Sequence, residues 1–223
     1  MKGLLSLLKR IPVYARWPIA ITVVTQCVTY YAPKLLGSRP EHLLTSALDE
    51  AIPVIPCFVY IYVLAYLFWV VNYAWIYFSD ASLCRRMLTA DLLCKAVCAL
   101  CFVLYPCTLL RPQAETLTGV GAWLLKLIYR IDTPTSLLPS MHCHLSVLVS
   151  LPLFDRRCKA PRWYALCSLP FALLVCASTV FTKQHVMADV YTGVALAVLM
   201  WIAAQLIWNG MDRRKAAPSG KAA

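Results

Sequence analysis

The chain has 223 residues, of which 61% are hydrophobic and only 14% are charged. Soluble domains carry about 25% charged residues, so this composition excludes an ordinary water-soluble globular protein and predicts a membrane protein. Lysine and arginine number 21 against 10 aspartates and glutamates, which gives a formal net charge of +11. A nucleic-acid-binding protein is not expected, because no basic helix with a recognisable reading motif accompanies this charge.

Six apolar segments follow one another along the chain, each close to the length of about 20 residues that a membrane-spanning helix needs. The predicted spans are 17–34, 53–77, 92–110, 137–154, 163–182 and 187–208. The fold prediction is therefore an all-α, polytopic membrane protein whose six transmembrane helices form a single domain over 17–208. A basic N-terminus, 1–16, precedes this domain, and a disordered tail, 209–223, follows it.

The longest loop, 111–136, separates the third and fourth predicted spans. Its sequence GVGAWLLKLIYR predicts a short amphipathic helix that lies at the membrane interface.

The basic residues predict the orientation of the bundle. Four basic clusters fall on the same side of a six-span topology: Lys2, Lys9, Arg10 and Arg16; Arg85 and Arg86; Arg156, Arg157, Lys159 and Arg162; and Arg213, Arg214 and Lys215. Because positive charge is enriched in cytoplasmic loops, both termini are expected in the cytoplasm. The compact chain and its short tail favour the plasma (inner) membrane of a bacterium.

The eleven cysteines do not indicate a metal or redox site. Cys94, Cys98 and Cys101 recur at the spacing of one helix face, inside a predicted span. A zinc site needs about four ligands and a redox pair needs an exposed thiolate, so helix packing is the predicted role. No metal and no cofactor are expected.

Ionisable and polar residues converge on the outer ends of three predicted spans. They are Arg111 at the end of the third span, Ser140 and His142 at the start of the fourth, and Lys183, His185 and Asp189 at the start of the sixth. Ionisable groups at membrane depth are costly and usually face a protein interior or a water-filled cavity. The shared membrane face therefore favours a functional site that lies outside the cytoplasm.

The spacing of these residues is typical of phosphoryl-transfer chemistry. His185 and Asp189 are four residues apart, so on a helix the carboxylate can orient the imidazole as a nucleophile. His142 is predicted to be the general acid, and Ser140, Arg111 and Lys183 to bind phosphate oxygens. Each residue alone also has a simpler interpretation, such as a helix cap for Ser140 or a snorkelling side chain for Lys183.

Three stretches resemble the type 2 phosphatidic acid phosphatase (PAP2) superfamily. "LLPSMHCHLSV" and "STVFTKQHVMADVYTG" resemble its P-S-G-H and S-R-x5-H-x3-D motifs, and "YPCTLLRP" resembles the end of its K-x6-R-P motif. "DEAIPVIP", which begins at Asp49, is similar to a D-x-x-I-P-x-I-P segment of the branch that contains inositol phosphorylceramide synthases and sphingomyelin-synthase-like proteins. The resemblance extends over about 49–205.

The resemblance implies a metal-independent, six-helix enzyme that cleaves lipid phosphoesters through a phosphohistidine. By position, His185 is the implied nucleophile, Asp189 its orienting partner and His142 the acid. Three positions depart from the motifs: Leu104 replaces a lysine, Met141 a glycine and Thr179 an arginine. Lys183 is the candidate replacement for one of the missing cations.

The same residues fit two reactions. Attack of water on the phosphohistidine makes a lipid-phosphate phosphatase, and attack of a lipid or polyol hydroxyl makes a headgroup phosphotransferase. The minimal length of the chain favours the phosphatase. A transporter whose polar cluster lines a pathway is a further alternative. The expected partners are the membrane and a lipid phosphate or phospholipid, and the sequence leaves the oligomeric state open.

Overall fold

A computed structural model of the chain describes residues 11–35 and 42–216. Within these residues eight α-helices follow one another: α1 (Val13–Leu35), α2 (Ala47–Ala51), α3 (Val59–Ser79), α4 (Ala81–Leu104), α5 (Ala122–Ile131), α6 (Met141–Ser150), α7 (Arg162–Phe181) and α8 (Met187–Ala216). Short 3-10 turns lie at Pro56–Phe58, Ala114–Thr116 and Leu151–Phe154. Two short strands, β1 (His42–Leu43) and β2 (Cys107–Thr108), pair in parallel.

Four helical segments among the described residues are long and apolar enough to cross a membrane. They are Pro56–Ser79, Ala81–Leu104, Arg162–Phe181 and Met187–Ala216, and a shorter apolar helix covers Met141–Phe154. This confirms a mostly helical membrane protein. The first and fourth predicted spans correspond to α1 and to the shorter helix, so the count of six spans stays a prediction.

Helix α6 lies at the centre of the bundle, against α3, α4, α7 and α8. Its side chains are almost all buried, and polar contacts join it to its neighbours. The Trp69 indole on α3 donates to the Ser146 hydroxyl over 2.8 Å, and the hydroxyls of Ser150 and Ser168 are 2.9 Å apart. Such small and polar contacts stabilise helix packing where the lipid is as apolar as the core.

The third predicted span, 92–110, is wrong at both ends. Helix α4 begins eleven residues earlier, at Ala81, because the Asp80 carboxylate caps it by accepting from the backbone N–H groups of Ser82 and Leu83. It ends at Leu104, because Pro106 has no N–H to continue the helix and disfavours helical geometry at Tyr105. The residues that follow form β2 instead.

The predicted disorder of 209–223 is wrong for its first part, since α8 continues to Ala216. The buried Arg86 guanidinium fixes this end of the helix: it donates to Asn209 over 2.8 Å and to Asp212 over 2.7 Å. Residues 217–223 lie outside the described residues, as does most of the predicted N-terminal segment 1–16, although α1 already includes 13–16.

The amphipathic helix predicted within 111–136 is confirmed as α5. It buries Ala122, Leu125 and Ile128 against the start of α3 and exposes Trp123 and Ile131. Gly121 permits this packing, because a Cβ at this position would lie 2.7 Å from the Pro56 carbonyl oxygen, and its φ of +85° also favours glycine. Helix α5 thereby brings the long loop back towards the N-terminal end of α3.

Candidate active site

The six residues that the sequence predicts for the site lie at one end of the bundle. This end is formed by the segment after β2, the start of α6, the α7–α8 loop and the start of α8. Gly193 lets α6 and α8 approach closely, because a Cβ on it would lie 2.9 Å from the Ser140 carbonyl oxygen. The backbone N–H of Ser140 donates to the Asp189 carbonyl over 3.2 Å, which joins the two helix starts directly.

His185 and Asp189 form the predicted pair. The His185 Nδ1 lies 3.0 Å from the Asp189 Oδ2, which also accepts from the backbone N–H of Val186 over 3.2 Å. Both side chains are buried, and Asp189 is inaccessible to solvent. Because an ionised carboxylate only accepts hydrogen bonds, this contact holds the proton on Nδ1 and leaves the lone pair on Nε2.

The α7–α8 loop fixes His185 through its backbone. The Thr179 carbonyl accepts from the N–H groups of both Gln184, over 2.9 Å, and His185, over 3.1 Å. The Thr179 hydroxyl is fully buried and donates to the Cys176 carbonyl over 2.7 Å. Thr179 therefore stabilises the loop, and its side chain does not take the place of the arginine in the motif.

His142 lies beside His185, with 6.2 Å between the ring centroids. Its imidazole stacks on the Tyr62 ring at 4.2 Å and contacts the ring of Trp69 at 5.0 Å. The Nε2 atom is buried and has no hydrogen-bond partner among the described residues. A buried nitrogen without a partner is costly, so this atom is suited to exchange a proton with a bound group.

Ser140 caps α6, as its simpler interpretation predicts. Its hydroxyl oxygen accepts from the Cys143 N–H over 3.2 Å, and the residue is fully buried. Because Ser140 does not line the cavity at this end of the bundle, its predicted contact with a phosphate oxygen stays a prediction.

Arg111 is held rigidly at the site by three acceptors. Its guanidinium donates to the carbonyl of Lys183 over 3.1 Å, to the carbonyl of Asp132 over 2.6 Å and to the Gln184 side chain over 2.7 Å. It also lies over the Tyr129 ring, 4.9 Å from the centroid. Burial lowers the pKa of Arg111, and the nearby charge of Asp132 opposes this shift.

The Lys183 ammonium donates to the main-chain carbonyl of Asp49. Its backbone adopts a left-handed conformation, with φ of 50°, in the tight turn after α7. Burial lowers the pKa of Lys183, while the charges of Asp49 and Glu50 oppose the shift. Lys183 is thus held beside Asp49, whereas Leu104 is an exposed apolar residue at the end of α4.

A cavity of about 370 Å³ opens at this end of the bundle. Three of the predicted residues line it, namely Arg111, Lys183 and His185. Ser140, His142 and Asp189 do not line the cavity; Ser140 and Asp189 are fully buried, whereas His142 is partly exposed. Much of the remaining wall is apolar and comes from Ile52, Pro53, Val54, Leu109, Leu110, Val180 and Val186.

The sequence indicated Asp49 only as the first residue of a motif, and the structure gives it a positioning role. Its carboxylate accepts from the backbone N–H of Met187 over 2.8 Å and so caps α8. The same carboxylate accepts from the Ser46 N–H and hydroxyl in a capping box. Burial alone would raise the pKa of Asp49, but the hydrogen bonds from Ser46 and Met187 lower it.

The sequence did not predict Asp132 or Gln184 as residues of the site, because no local pattern marks either of them. Asp132 joins the long loop to α1: its carboxylate accepts from the Tyr30 hydroxyl over 2.5 Å and from the Lys34 ammonium over 3.1 Å. Burial would raise the pKa of Asp132, but these two partners lower it. Gln184 accepts from Arg111, so both residues position the guanidinium.

The basic loops meet at the opposite end of the bundle. Arg86 pairs with Asp212, and the Arg157 guanidinium donates to the Ser82 hydroxyl over 3.2 Å. The charged loops that set the predicted orientation are therefore separated from the candidate site by the length of the helices.

Cysteines contribute packing to the core between the two ends. Cys94 and Cys98 are fully buried there, in agreement with the predicted packing role. Among the described residues, no group of three or more histidine, cysteine, aspartate or glutamate side chains is arranged to hold a metal ion.

A family model described as "PAP2 superfamily" matches residues 28–203, which is more than half of the chain. Comparisons with curated proteins and with solved structures give no match. The matched range contains all six predicted site residues and Asp49. The chain therefore belongs to the PAP2 superfamily.

Proposed function

We propose that this protein is a lipid-phosphate phosphatase that works through a phosphohistidine on the extracytoplasmic side of the membrane. The observation that carries the proposal is the buried His185–Asp189 pair, whose histidine lines the same cavity as Arg111 and Lys183. PAP2 membership supports phosphatase or phosphotransferase chemistry. The proposed orientation has six spans, both termini in the cytoplasm, and the cavity at the outer surface.

In the first step the phosphate enters the cavity, and Arg111 and Lys183 neutralise its oxygens. The His185 Nε2 attacks phosphorus while the bond from phosphorus to the lipid oxygen breaks. Asp189 stabilises the positive charge that develops on the imidazole. His142 is proposed to take up a proton as the anionic phosphate binds and to donate it to the leaving lipid alkoxide, and the Ser140 hydroxyl is proposed to donate to a phosphate oxygen.

In the second step water attacks the phosphorus of the phosphohistidine. His142, now neutral, accepts a proton from this water, and the bond between phosphorus and His185 breaks. Inorganic phosphate leaves, and the enzyme returns to its starting protonation state. The proposed reaction uses only side chains of this protein.

The test uses purified protein in detergent micelles with phosphatidic acid and measures release of inorganic phosphate. His185→Ala is expected to abolish turnover, and Asp189→Asn to reduce it by orders of magnitude because the tautomer is no longer fixed. His42→Gln is the matched control, since His42 stacks on Tyr105 and does not line the cavity. Phosphate release by His185→Ala at the wild-type rate would contradict the proposal.

Headgroup transfer is a second candidate, because a largely apolar wall surrounds the reactive groups of the cavity. Such a wall limits water and suits a lipid hydroxyl as the acceptor. The matched experiment adds ceramide or diacylglycerol to the same micelles together with a phospholipid donor. A new phospholipid would support transfer, whereas release of a water-soluble phosphate product would support hydrolysis.

A further inference from the structure

Glu50 lines the same cavity as Arg111, Lys183 and His185. It belongs to the first turn of α2, next to Asp49, but the two carboxylates differ in their contacts. The Asp49 carboxylate is occupied by Ser46 and by the N-terminus of α8. The Glu50 carboxylate has neither an ion pair nor a side-chain hydrogen bond among the residues that the structure describes.

A carboxylate in this position opposes the binding of a simple phosphate ester. The phosphate is anionic, and Glu50 adds a negative charge to the cavity that Arg111 and Lys183 make positive. Glu50 supports the charged form of Lys183, but its direct interaction with a bound ligand is favourable when that ligand also carries a positive charge. The cavity is then complementary to a zwitterion, with its phosphate near the two cations and its cationic group near Glu50.

The cavity wall also distinguishes between kinds of cation. Quaternary ammonium groups are typically bound by aromatic faces, whereas a primary ammonium has three N–H donors that suit carboxylate oxygens. Among the described residues, those that line the cavity include no phenylalanine, tyrosine or tryptophan. A volume of about 370 Å³ lies at the small end of ligand sites and suits a headgroup without its acyl chains.

We propose that Glu50 is a specificity residue that selects phosphoesters with a primary ammonium two carbons from the ester oxygen. The proposal rests on the proposed function of the site. Two lipid classes contain this N–C–C–O–P unit: aminoethyl phospholipids such as phosphatidylethanolamine, and phosphates of long-chain 2-amino alcohols. With the first class, the bond from phosphorus to the diacylglycerol oxygen breaks and phosphoethanolamine is released. With the second class, the bond from phosphorus to the amino alcohol oxygen breaks and inorganic phosphate is released.

The test compares each ammonium substrate with its N-acetyl derivative, which keeps the phosphoester and loses the positive charge. We expect kcat/KM of the wild type to be about fivefold higher for the ammonium form than for the N-acetyl form. This ratio corresponds to the contribution of one ion pair in a partly solvated cavity. Glu50→Gln is expected to bring this ratio to about one, and Glu50→Asp to keep part of it. Glu115→Gln is the matched control, because Glu115 is an exposed acidic residue outside the cavity and its loss leaves the ratio unchanged.

Two results would overturn the role of Glu50: a wild-type ratio of one, or a fivefold ratio that persists in Glu50→Gln. Absence of turnover with every lipid would instead contradict the proposed function. In that case, calorimetric titration of the wild type and Glu50→Gln with 2-aminoethyl phosphate and its N-acetyl derivative decides the inference. A binding preference for the ammonium form that Glu50→Gln abolishes supports it, and equal binding of the two compounds refutes it.

Discussion

Replacement of Gly193 by alanine tests whether the close approach of α6 and α8 positions the catalytic groups. The added Cβ would lie 2.9 Å from the Ser140 carbonyl oxygen and 3.1 Å from the Cys143 Cβ, whereas ordinary contact begins at 3.4 Å. The backbone oxygen must therefore retreat by about 0.5 Å. Overpacking of this kind costs about 1–3 kcal/mol, and the better helix propensity of alanine offsets about 1 kcal/mol.

We expect Gly193→Ala to lose up to about 2 kcal/mol of stability. Because displacement of about 1 Å can reduce catalysis 10²-fold, kcat is expected to fall about tenfold. Thermal denaturation in micelles and steady-state phosphate release measure the two effects. Gly210→Ala is the matched control, since Gly210 lies in the same helix and no atom of the described residues lies within 4 Å of an added Cβ. The reasoning would be refuted if Gly193→Ala were as stable and as active as Gly210→Ala.

Three further substitutions test the contacts around the site and in the core. Asp49→Ala is expected to cost about 1 kcal/mol as the cap of α8 is lost. Because the pKa of Asp49 is lowered in the folded state, its carboxylate contributes fully to the free energy of unfolding above about pH 4, and this contribution is lost as the pH falls through the folded pKa. Denaturation of the wild type and of Asp49→Asn between about pH 3 and 7 measures this loss. Lys95→Met is expected to cost about 3–5 kcal/mol, because it leaves the buried Asp91 carboxylate, 2.7 Å from the Lys95 ammonium, without its cation. The double variant with Asp91→Leu is expected to recover most of this loss in the same denaturation assay. Lys183→Ala is expected to weaken phosphate binding about tenfold or more, and full activity with unchanged KM would show that Lys183 is not the replacement cation.

Local sequence patterns predicted the parts of the fold that depend on local forces. The polar run around Lys183 correctly predicted the loop between α7 and α8, and the i, i+4 spacing predicted the contact between His185 and Asp189. Apolar composition located most of the helices. It misplaced α4, because hydropathy does not register the Asp80 cap or the pairing of Arg86 with Asp212.

Contacts between distant segments were not predictable from one sequence. Asp49 caps a helix that begins 138 residues later, and Gln184 accepts from Arg111 across 73 residues. Such contacts depend on how the loops fold back over the bundle, and a short polar side chain in a loop gives no periodic signal. The motifs therefore predicted which residues carry the proposed chemistry, and the structure was needed to identify the residues that position them.

Rapid quench of the purified protein during turnover, followed by peptide mass spectrometry, tests the central claim most directly. The account predicts a phosphoryl group on His185 that appears within the first turnover and is absent from His185→Ala. His142→Ala is expected to slow its formation, because the leaving alkoxide lacks its proton donor. Turnover without phosphorylated His185 at any time, or with the phosphoryl group on another residue, would contradict the account.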